Sequence, residues 1–265
     1  MAAARDRAAR LRARRRDLEE AAQRATTAPD ARHAGALRFA RALRGHSVAI
    51  IAEVKRRSPS AGEIRASLNA ADQAVAYAAG GAAAISVLTE PERFGGRPDD
   101  LSDVRRRVQL PVLCKDFLLD PLQLTEAKAL GASAALLIVR ALDQTTLCEL
   151  MAVADALALD ALVEIHTAAE GERALAAGAR VLGVNNRDLE TLVVDSTLAS
   201  RLIPDLPPEV IAVAESGVTS RKDVEAAAAA GADAVLVGTA LSAATDPTGA
   251  VRALSGVTRR IDRRR

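Results

Sequence analysis

The chain has 265 residues, of which 49% are hydrophobic, and a formal net charge of +2. No apolar run reaches the roughly 18 uncharged residues of a membrane helix, so the composition is typical of a globular protein and excludes a membrane span. With no Trp, one Tyr and three Phe, the chain also offers few rings for stacking on single-stranded nucleic acid.

The N-terminus is strongly basic. Residues 5–16 read RDRAARLRARRR, and the acids Asp17, Glu19 and Glu20 follow. Organellar transit peptides are Arg-rich, but they are also rich in Ser and poor in acids. We therefore expect a solvated helix that turnover does not require, and we expect the C-terminal RRIDRRR to be a solubilising tail.

An internal repeat organises the rest of the chain. A Gly-Ala pair stands just before an apolar run about every fifty residues, at Gly81, Gly131, Gly178 and Gly231. The runs after these pairs are AAISVL, SAALLIV, RVLGV and DAVLVG, and they alternate with VAIIAEVK, PVLCKDF, ALVEIHT and VIAVAES. Each run suits a strand buried on both faces, and helix-start signals such as Asp120-Pro121 lie between the runs.

Eight strands that alternate with helices predict the α/β class and a (βα)8 TIM barrel with an N-terminal helical extension. We expect one domain over residues 1–265, with the extension at 1–46, the barrel at 47–258 and a basic tail at 259–265. The extension should cover the bottom of the barrel or pack beside it. The alternative is a doubly wound open sheet, but that fold needs a glycine-rich turn after its first strand, and SPSAG matches GxGxxG poorly.

Reacting groups in such barrels come from the carboxyl ends of the strands and the loops that follow. The odd-numbered strands end in charged or polar residues, which are Glu53 and Lys55, Lys115 and Asp116, Glu164 and His166, and Glu215 and Ser216. The even-numbered strands end in Ser86 and Thr89, in Asn185 to Arg187, and in Gly238 and Thr239. Side chains two positions apart share one strand face, so Glu53 and Lys55 should point together into the mouth.

Lysine is rare in this chain. Lys and Arg together number 36, yet only Lys55, Lys115, Lys128 and Lys222 are lysines. Two of them stand at strand ends, where an ammonium can transfer a proton or form a Schiff base and a guanidinium cannot. We predict that Lys128 and Lys222 lie on solvated helix surfaces. The turns ESGVTS and VGTALS after the last two strands are predicted to hold a phosphate through backbone N–H groups.

The histidines and cysteines do not predict a metal site. His33 and His46 precede the barrel, and His166 reads as a loop histidine beside a catalytic acid, so no metal triad forms. Cys114 and Cys148 fit neither a disulfide framework nor a metal pair, which favours a reducing compartment. Cys114, inside an apolar run, is expected to be a buried core residue.

The residues alone therefore predict a metal-free enzyme that moves protons with Lys and Glu on a small phosphorylated substrate. Three alternatives stay open at this point. The charges could be ion pairs that only fill the barrel top, Lys115 could be the nucleophile of a Schiff-base aldolase, or the chain could be a barrel-shaped binding protein that uses its basic N-terminus on nucleic acid.

Seven motifs carry a resemblance to a known family. They are IIAEVKRRSPSAG, ISVLTEPERFGG, PVLCKDFLLDPLQLTEAKALGA, LVEIHT, GVNNRDL, VAESGV and GADAVLVGTAL, and they span about residues 47–255. In content and order they resemble the indole-3-glycerol-phosphate synthases of tryptophan biosynthesis. The resemblance implies a carboxy-lyase that closes the ring of 1-(2-carboxyphenylamino)-1-deoxyribulose 5-phosphate, with loss of carbon dioxide and water, to give indole-3-glycerol phosphate. It implies no cofactor and no metal.

The resemblance also implies roles for individual residues. Lys115 would be the general acid and Glu164 the base, while Lys55 would hold the substrate carboxylate, Glu53 would orient Lys55, and Asn185 would act near the departing hydroxyl. The substrate-binding residues would be Ser58, Phe94, Phe117, Arg187, Glu215, Ser216, Gly217, Gly238 and Thr239.

The resemblance finally implies partners and a location. The partner would be a small phosphorylated substrate, with no nucleic acid and no membrane. The protein would be a cytoplasmic monomer or weak homo-oligomer that can contact other enzymes of the tryptophan pathway.

Overall fold

The computed structural model describes residues 1–27 and 38–259. Eight parallel strands close into a barrel in chain order, with β8 hydrogen-bonded to β1. Their bounds are β1 Ala49–Val54, β2 Ala84–Leu88, β3 Val112–Lys115, β4 Ala134–Ile138, β5 Asp160–Ile165, β6 Val181–Asn185, β7 Ile211–Glu215 and β8 Ala234–Val237. The predicted (βα)8 fold is confirmed, and the open-sheet alternative is wrong because this sheet has no edge strands.

Helices follow every strand and form the outer layer. The described helices are α1 Ala2–Leu11, α2 Arg15–Thr27, α3 Arg38–Ala42, α4 Ala70–Ala79, α5 Pro91–Phe94, α6 Pro98–Arg107, α7 Pro121–Ala129, α8 Gln144–Ala156, α9 Ala168–Ala176, α10 Leu198–Leu202, α11 Arg221–Ala229, α12 Thr239–Ala243 and α13 Pro247–Leu254. A short antiparallel pair, Arg57–Ser58 with Gly62–Glu63, lies in the loop after β1. None of the helices in the described ranges is long and apolar enough to cross a bilayer.

Helices start where the sequence places its N-cap signals. Asp120 accepts a hydrogen bond from Leu122 N at the start of α7, and Asp246 accepts one from Gly249 N at the start of α13, each at 2.9 Å. Such caps satisfy backbone N–H groups that have no partner inside the helix. The caps fix where each helix begins, and therefore how long each loop at the barrel mouth is.

The barrel interior is an aliphatic core and not a channel. Ile51, Leu113, Leu162 and Leu236 belong to one buried cluster inside the barrel. A second, larger cluster lies between the strands and the outer helices. Charged side chains are therefore confined to the ends of the barrel, and the carboxyl end is the candidate site.

The N-terminal extension was predicted either to cover the bottom of the barrel or to pack beside it, and its described part does both. Helices α1 and α2 pack beside the barrel, where Leu11 and Leu18 contact Leu122 of α7. Helix α3 covers the bottom, because Phe39 is fully buried in the interior cluster. His33 and residues 260–265 of the basic tail lie outside the described residues.

Lys128 corrects one prediction. Its side chain is buried, and Nζ donates a hydrogen bond to Ala158 O at 3.3 Å, so it is not a solvated surface lysine. Burial lowers its pKa. Lys222 is exposed as predicted, and Cys114 is buried, which raises the pKa of its thiol to about 12.

Candidate active site

Lys115 lies at the centre of the barrel mouth, at the end of β3. Its ammonium is 3.1 Å from Glu215 Oε2 on β7 and 3.4 Å from Glu53 Oε2 on β1. Glu53 Oε1 is in turn 2.9 Å from Lys55 Nζ. Strands β1, β3 and β7 thus bring together four of the charged residues that the sequence predicts at the mouth.

Electrostatics keep Lys115 and Glu53 ionised. Burial alone would lower the pKa of Lys115, but the carboxylates of Glu215, Glu53 and Glu164 raise it above the ordinary value of a lysine. Burial would likewise raise the pKa of Glu53, but the facing ammoniums of Lys55 and Lys115 outweigh burial and lower it. Lys115 is therefore a protonated ammonium, and Glu53 is a carboxylate.

Glu215 behaves differently, because burial dominates. The side chain is fully buried, and burial raises its pKa although Lys115 opposes the rise. No donor among the described residues reaches its Oε1. The adjacent strand makes room for this oxygen with Gly183, since a Cβ at that position would stand 2.0 Å from Glu215 Oε1. The sequence reading did not single out Gly183, and its place inside the apolar run RVLGV was the available signal.

Glu164 ends β5 beside a histidine. Its Oε1 is 3.7 Å from His166 Nε2, which is too long for a hydrogen bond, and no donor among the described residues satisfies this oxygen. The backbone N–H of His166 donates to Glu170 Oε2 at 2.6 Å, while Nε2 stands 3.1 Å from Arg187 O. His166 is thus held by contacts other than Glu164, and Oε1 of Glu164 is left without a donor among the described residues.

One arginine that was not among the predicted site residues lies on the same side of the mouth as Glu164 and His166. Arg140 follows β4, and its guanidinium contacts Glu170 at 3.2 Å and Asp188 at 3.1 Å. Burial alone would raise the pKa of Glu170, but hydrogen bonds from His166 and Arg140 lower it to about 2. The same carboxylate, together with Glu164, raises the pKa of His166 against the effect of burial. Arg140 therefore ties the segment after β4 to helix α9 and to the loop after β6.

The end of β6 carries Asn185, Asn186 and Arg187. Asn185 is buried, and its Oδ1 accepts a hydrogen bond from Arg187 N at 3.0 Å. The Arg187 guanidinium donates to Leu192 O at 2.8 Å. Asn186 has a structural role, because it donates to Ser216 O at 3.1 Å and accepts from Ala199 N at 2.9 Å. Asn186 therefore connects the β6 loop to the turn after β7.

Of the two predicted phosphate turns, the one after β8 lies next to the Glu53–Lys55 pair. Ser216 has a φ of +64°, which is uncommon for a residue with a side chain, and Gly217 follows with a φ of +81°. Gly238 precedes Thr239 at the start of α12. A Cβ at Gly238 would stand 2.2 Å from Glu53 Oε1, so a side chain there would displace the pair from its observed position.

Ser58, Phe94 and Phe117 belong to the loops after β1, β2 and β3. Ser58 Oγ accepts a hydrogen bond from Ala61 N at 3.1 Å. The rings of Phe94 and Phe117 have centroids 6.5 Å apart and an interplanar angle of 41°, which is within the range of an aromatic pair. The structure therefore brings together two of the three phenylalanines of the chain.

The closed barrel and the lysine–carboxylate cluster at its mouth define a class, the (βα)8 barrels with a charged site at the carboxyl ends of their strands, where active sites of this fold lie. The sequence profile of one family, described as indole-3-glycerol phosphate synthase, matches residues 3–254. The chain belongs to the indole-3-glycerol phosphate synthase family.

Individual relatives agree with this assignment. The chain is 52% identical over 234 residues to an indole-3-glycerol phosphate synthase of Mycolicibacterium smegmatis, with 88% of this chain and 84% of the relative covered. It is 54% identical over 210 residues to a protein of the same name in Mycobacteroides abscessus, with 79% and 77% covered. A thiamine phosphate pyrophosphorylase from Pyrococcus furiosus shares the fold alone, with a TM-score of 0.58, 17% identity, and 80% of this chain and 95% of that chain covered.

Proposed function

We propose that the chain is an indole-3-glycerol-phosphate synthase. It closes the ring of 1-(2-carboxyphenylamino)-1-deoxyribulose 5-phosphate, releases carbon dioxide and water, and forms indole-3-glycerol phosphate, which makes it a carboxy-lyase of tryptophan biosynthesis. The observation that carries the proposal is the Lys115 ammonium held between Glu53 and Glu215 at the mouth of a barrel of this family.

Lys115 is assigned the role of general acid. The reaction begins when the ring carbon that bears the carboxylate attacks the C2 carbonyl of the sugar, and negative charge grows on the ketone oxygen. The surrounding carboxylates raise the pKa of Lys115, so its proton is in place at neutral pH. An alkoxide is much more basic than an amine, so the developing oxygen can still take this proton in the transition state.

Lys55 and Glu53 are assigned to the substrate carboxylate. Lys55 would bind the carboxylate until carbon dioxide leaves, and it can also supply the second proton, to the departing hydroxyl. Glu53 bridges Lys55 and Lys115 through its two oxygens, so it fixes the distance between the two cations. Asn185 and Arg187 would act near the carboxylate and the departing hydroxyl.

Glu164 is assigned the role of base in the closing dehydration. Removal of a proton by a carboxylate requires an oxygen that is not already occupied by a donor, and Oε1 of Glu164 meets that condition among the described residues. Glu164 is also close enough to Lys115 to affect its pKa. The acid and the base therefore belong to one cluster and can act on the same substrate.

The remaining predicted residues are assigned to substrate binding. Backbone N–H groups of Ser216, Gly217, Gly238 and Thr239 would hold the phosphate, and Glu215 would contact the sugar hydroxyls. Phe94 and Phe117 would pack on the aromatic ring, with Ser58 on the first loop. An anionic substrate suits a mouth that presents Lys55, Lys115 and Arg187.

The raised pKa of Lys115 argues against a Schiff-base aldolase. A nucleophilic amine must be neutral, and lysines with that role have a lowered pKa. Borohydride reduction in the presence of a ketose phosphate tests the point. A covalent adduct on Lys115 would overturn its assignment as general acid.

The decisive experiment follows formation of the indole product by fluorescence, with the carboxyphenylamino sugar phosphate as substrate. We expect turnover without added metal or cofactor. If the purified protein forms no indole product, the proposed function is wrong.

We also propose that the protein works in the cytoplasm as a monomer or weak homo-oligomer that can contact other enzymes of the pathway. Size-exclusion chromatography at several protein concentrations measures the oligomeric state. A tight complex that persists at nanomolar concentration would contradict this part of the proposal.

A further inference from the structure

Arg7 of the basic helix α1 contacts two carboxylates at the barrel mouth. Arg7 Nη2 pairs with Asp116 Oδ1 in the loop after β3, and Nη1 is 3.5 Å from Glu90 Oε1 in the loop after β2. The side chains of Glu90 and Asp116 are 3% and 9% exposed, so Arg7 meets two carboxylates that are largely removed from water. This contact was not expected from a solvated helix.

Glu90 holds the backbone of the helix that carries Phe94. Its carboxylate accepts hydrogen bonds from Glu92 N at 3.2 Å, from Arg93 N at 2.6 Å and from Phe94 N at 3.2 Å. These are the first N–H groups of α5, which have no partner inside the helix. Glu90 therefore sets the position of Phe94.

Asp116 does the same for Phe117. Its Oδ1 accepts from Phe117 N at 2.7 Å, and its Oδ2 accepts from Thr89 Oγ1 at 2.9 Å. Burial raises the pKa of Asp116, and Arg7 opposes that rise. Loss of Arg7 would favour protonation of Asp116 and weaken its hold on Phe117 N.

We propose that Arg7 is a positioning residue that fixes the Phe94–Phe117 pair, and with it the aromatic half of the substrate, by holding Glu90 and Asp116 together. The role of the pair rests on the proposed function, whereas the coupling from Arg7 to the two backbone N–H groups does not. The basic helix is thereby part of the substrate site.

The matched test replaces Arg7 and Arg10 separately with Met. Arg10 belongs to the same helix and is exposed, so Arg10→Met controls for loss of a positive charge near the mouth. In Arg7→Met we expect KM for the carboxyphenylamino sugar phosphate to rise about tenfold, the factor that corresponds to about 1.4 kcal/mol. Arg7→Lys keeps the charge without the forked geometry and should recover part of the loss.

Ribulose 5-phosphate, which lacks the aromatic ring, separates positioning of the ring from general damage. We expect its inhibition constant to stay the same in the wild type, Arg7→Met and Arg10→Met. The proposal is overturned if Arg7→Met and Arg10→Met have the same KM. It is also overturned if Arg7→Met raises the inhibition constant of ribulose 5-phosphate by the same factor as it raises KM for the ring-bearing substrate.

Amide hydrogen exchange tests the same coupling without a substrate. In Arg7→Met the exchange rates of the Phe94 and Phe117 N–H groups should rise, while those of the β1 and β7 strands stay unchanged. Equal exchange in the two Met variants would overturn the proposal. This measurement keeps the two conclusions distinguishable, because the absence of product with wild-type protein would count against the proposed function alone.

Discussion

Two buried carboxylates at the bottom of the barrel and two at its mouth differ in how their oxygens are satisfied. At the bottom, Asp160 Oδ2 accepts hydrogen bonds from Phe39 N and Ala40 N at 2.9 and 3.0 Å, and Asp233 Oδ2 accepts one from Ala212 N at 2.8 Å. At the mouth, Glu164 and Glu215 each keep one oxygen that no donor among the described residues satisfies.

This difference shows how the fold separates stability from chemistry. A buried carboxylate with several backbone donors stabilises the chain that it joins, whereas an unsatisfied buried oxygen costs free energy. Such a cost is typical of sites where the group must accept something that is not part of the folded chain. Substitutions at the two ends should therefore change different measured quantities.

The largest effect is expected at the centre of the mouth. Lys115→Ala should lower kcat by about 10² to 10⁴-fold with a smaller change in KM, because it removes the proton donor. Lys222→Ala, at an exposed lysine, is the matched control and should leave kcat unchanged. Steady-state kinetics decide the matter, and unchanged turnover in the Lys115 variant would remove that residue from the mechanism.

A comparable loss is expected at the base. Glu164→Gln keeps the size of the side chain but cannot take up a proton, so kcat should fall about 10²-fold or more. The melting temperature should change little, since Oε1 makes no hydrogen bond to the described residues. Glu149→Gln, at an exposed position, serves as the control. A Glu164 variant that lost stability and kept kcat would reverse the comparison between the two ends.

Substitutions at the bottom of the barrel should lower the free energy of unfolding and leave kcat unchanged. Asp160→Ala leaves the N–H groups of Phe39 and Ala40 without their acceptor, at a cost of about 2 kcal/mol in the free energy of unfolding. Asp155→Ala removes only an exposed partner of Arg180 and should cost much less. Urea unfolding measures both, and kcat per folded molecule should equal that of the wild type. A fall in kcat would mean that the bottom contributes to the chemistry.

The smallest effect depends on pH and concerns Glu170. Its pKa lies at about 2 in place of 4.5, so its contacts with His166 and Arg140 stabilise the fold above pH 4.5, and this contribution is lost as the pH falls toward 2. The difference in unfolding free energy between wild type and Glu170→Gln should therefore shrink between pH 6 and pH 3.5. Glu172→Gln, exposed on the same helix, should show no such trend. A constant difference for Glu170→Gln would contradict the assigned pKa shift.

The sequence was sufficient for the barrel and for the cluster around Lys115, because both depend on local pattern. Strand ends in this fold converge, so residues such as Glu53 and Glu215 could be placed together without knowledge of their distance. The Arg7 contacts join residues 83 and 109 positions apart, and they depend on how α1 packs beside the barrel, which no short pattern encodes.

The burial of Lys128 could not be predicted from the sequence either. Helix α7 mixes apolar and polar residues without a clear polar face, so periodicity could not tell which positions face the neighbouring elements. The role of Gly183 was also hidden, because the need for a missing side chain becomes visible only when Glu215 is built opposite it.

The burial of Lys128 makes selective chemical labelling of this chain practicable. Lys55 and Lys115 lie at the mouth and Lys128 is covered, so Lys222 is left as the one exposed lysine among the four. An amine-reactive dye should therefore attach mainly to Lys222 and the N-terminal amine. A reporter placed there sits on the outer helix α11, and slower labelling of Lys55 in the presence of a ligand would measure occupancy of the mouth directly.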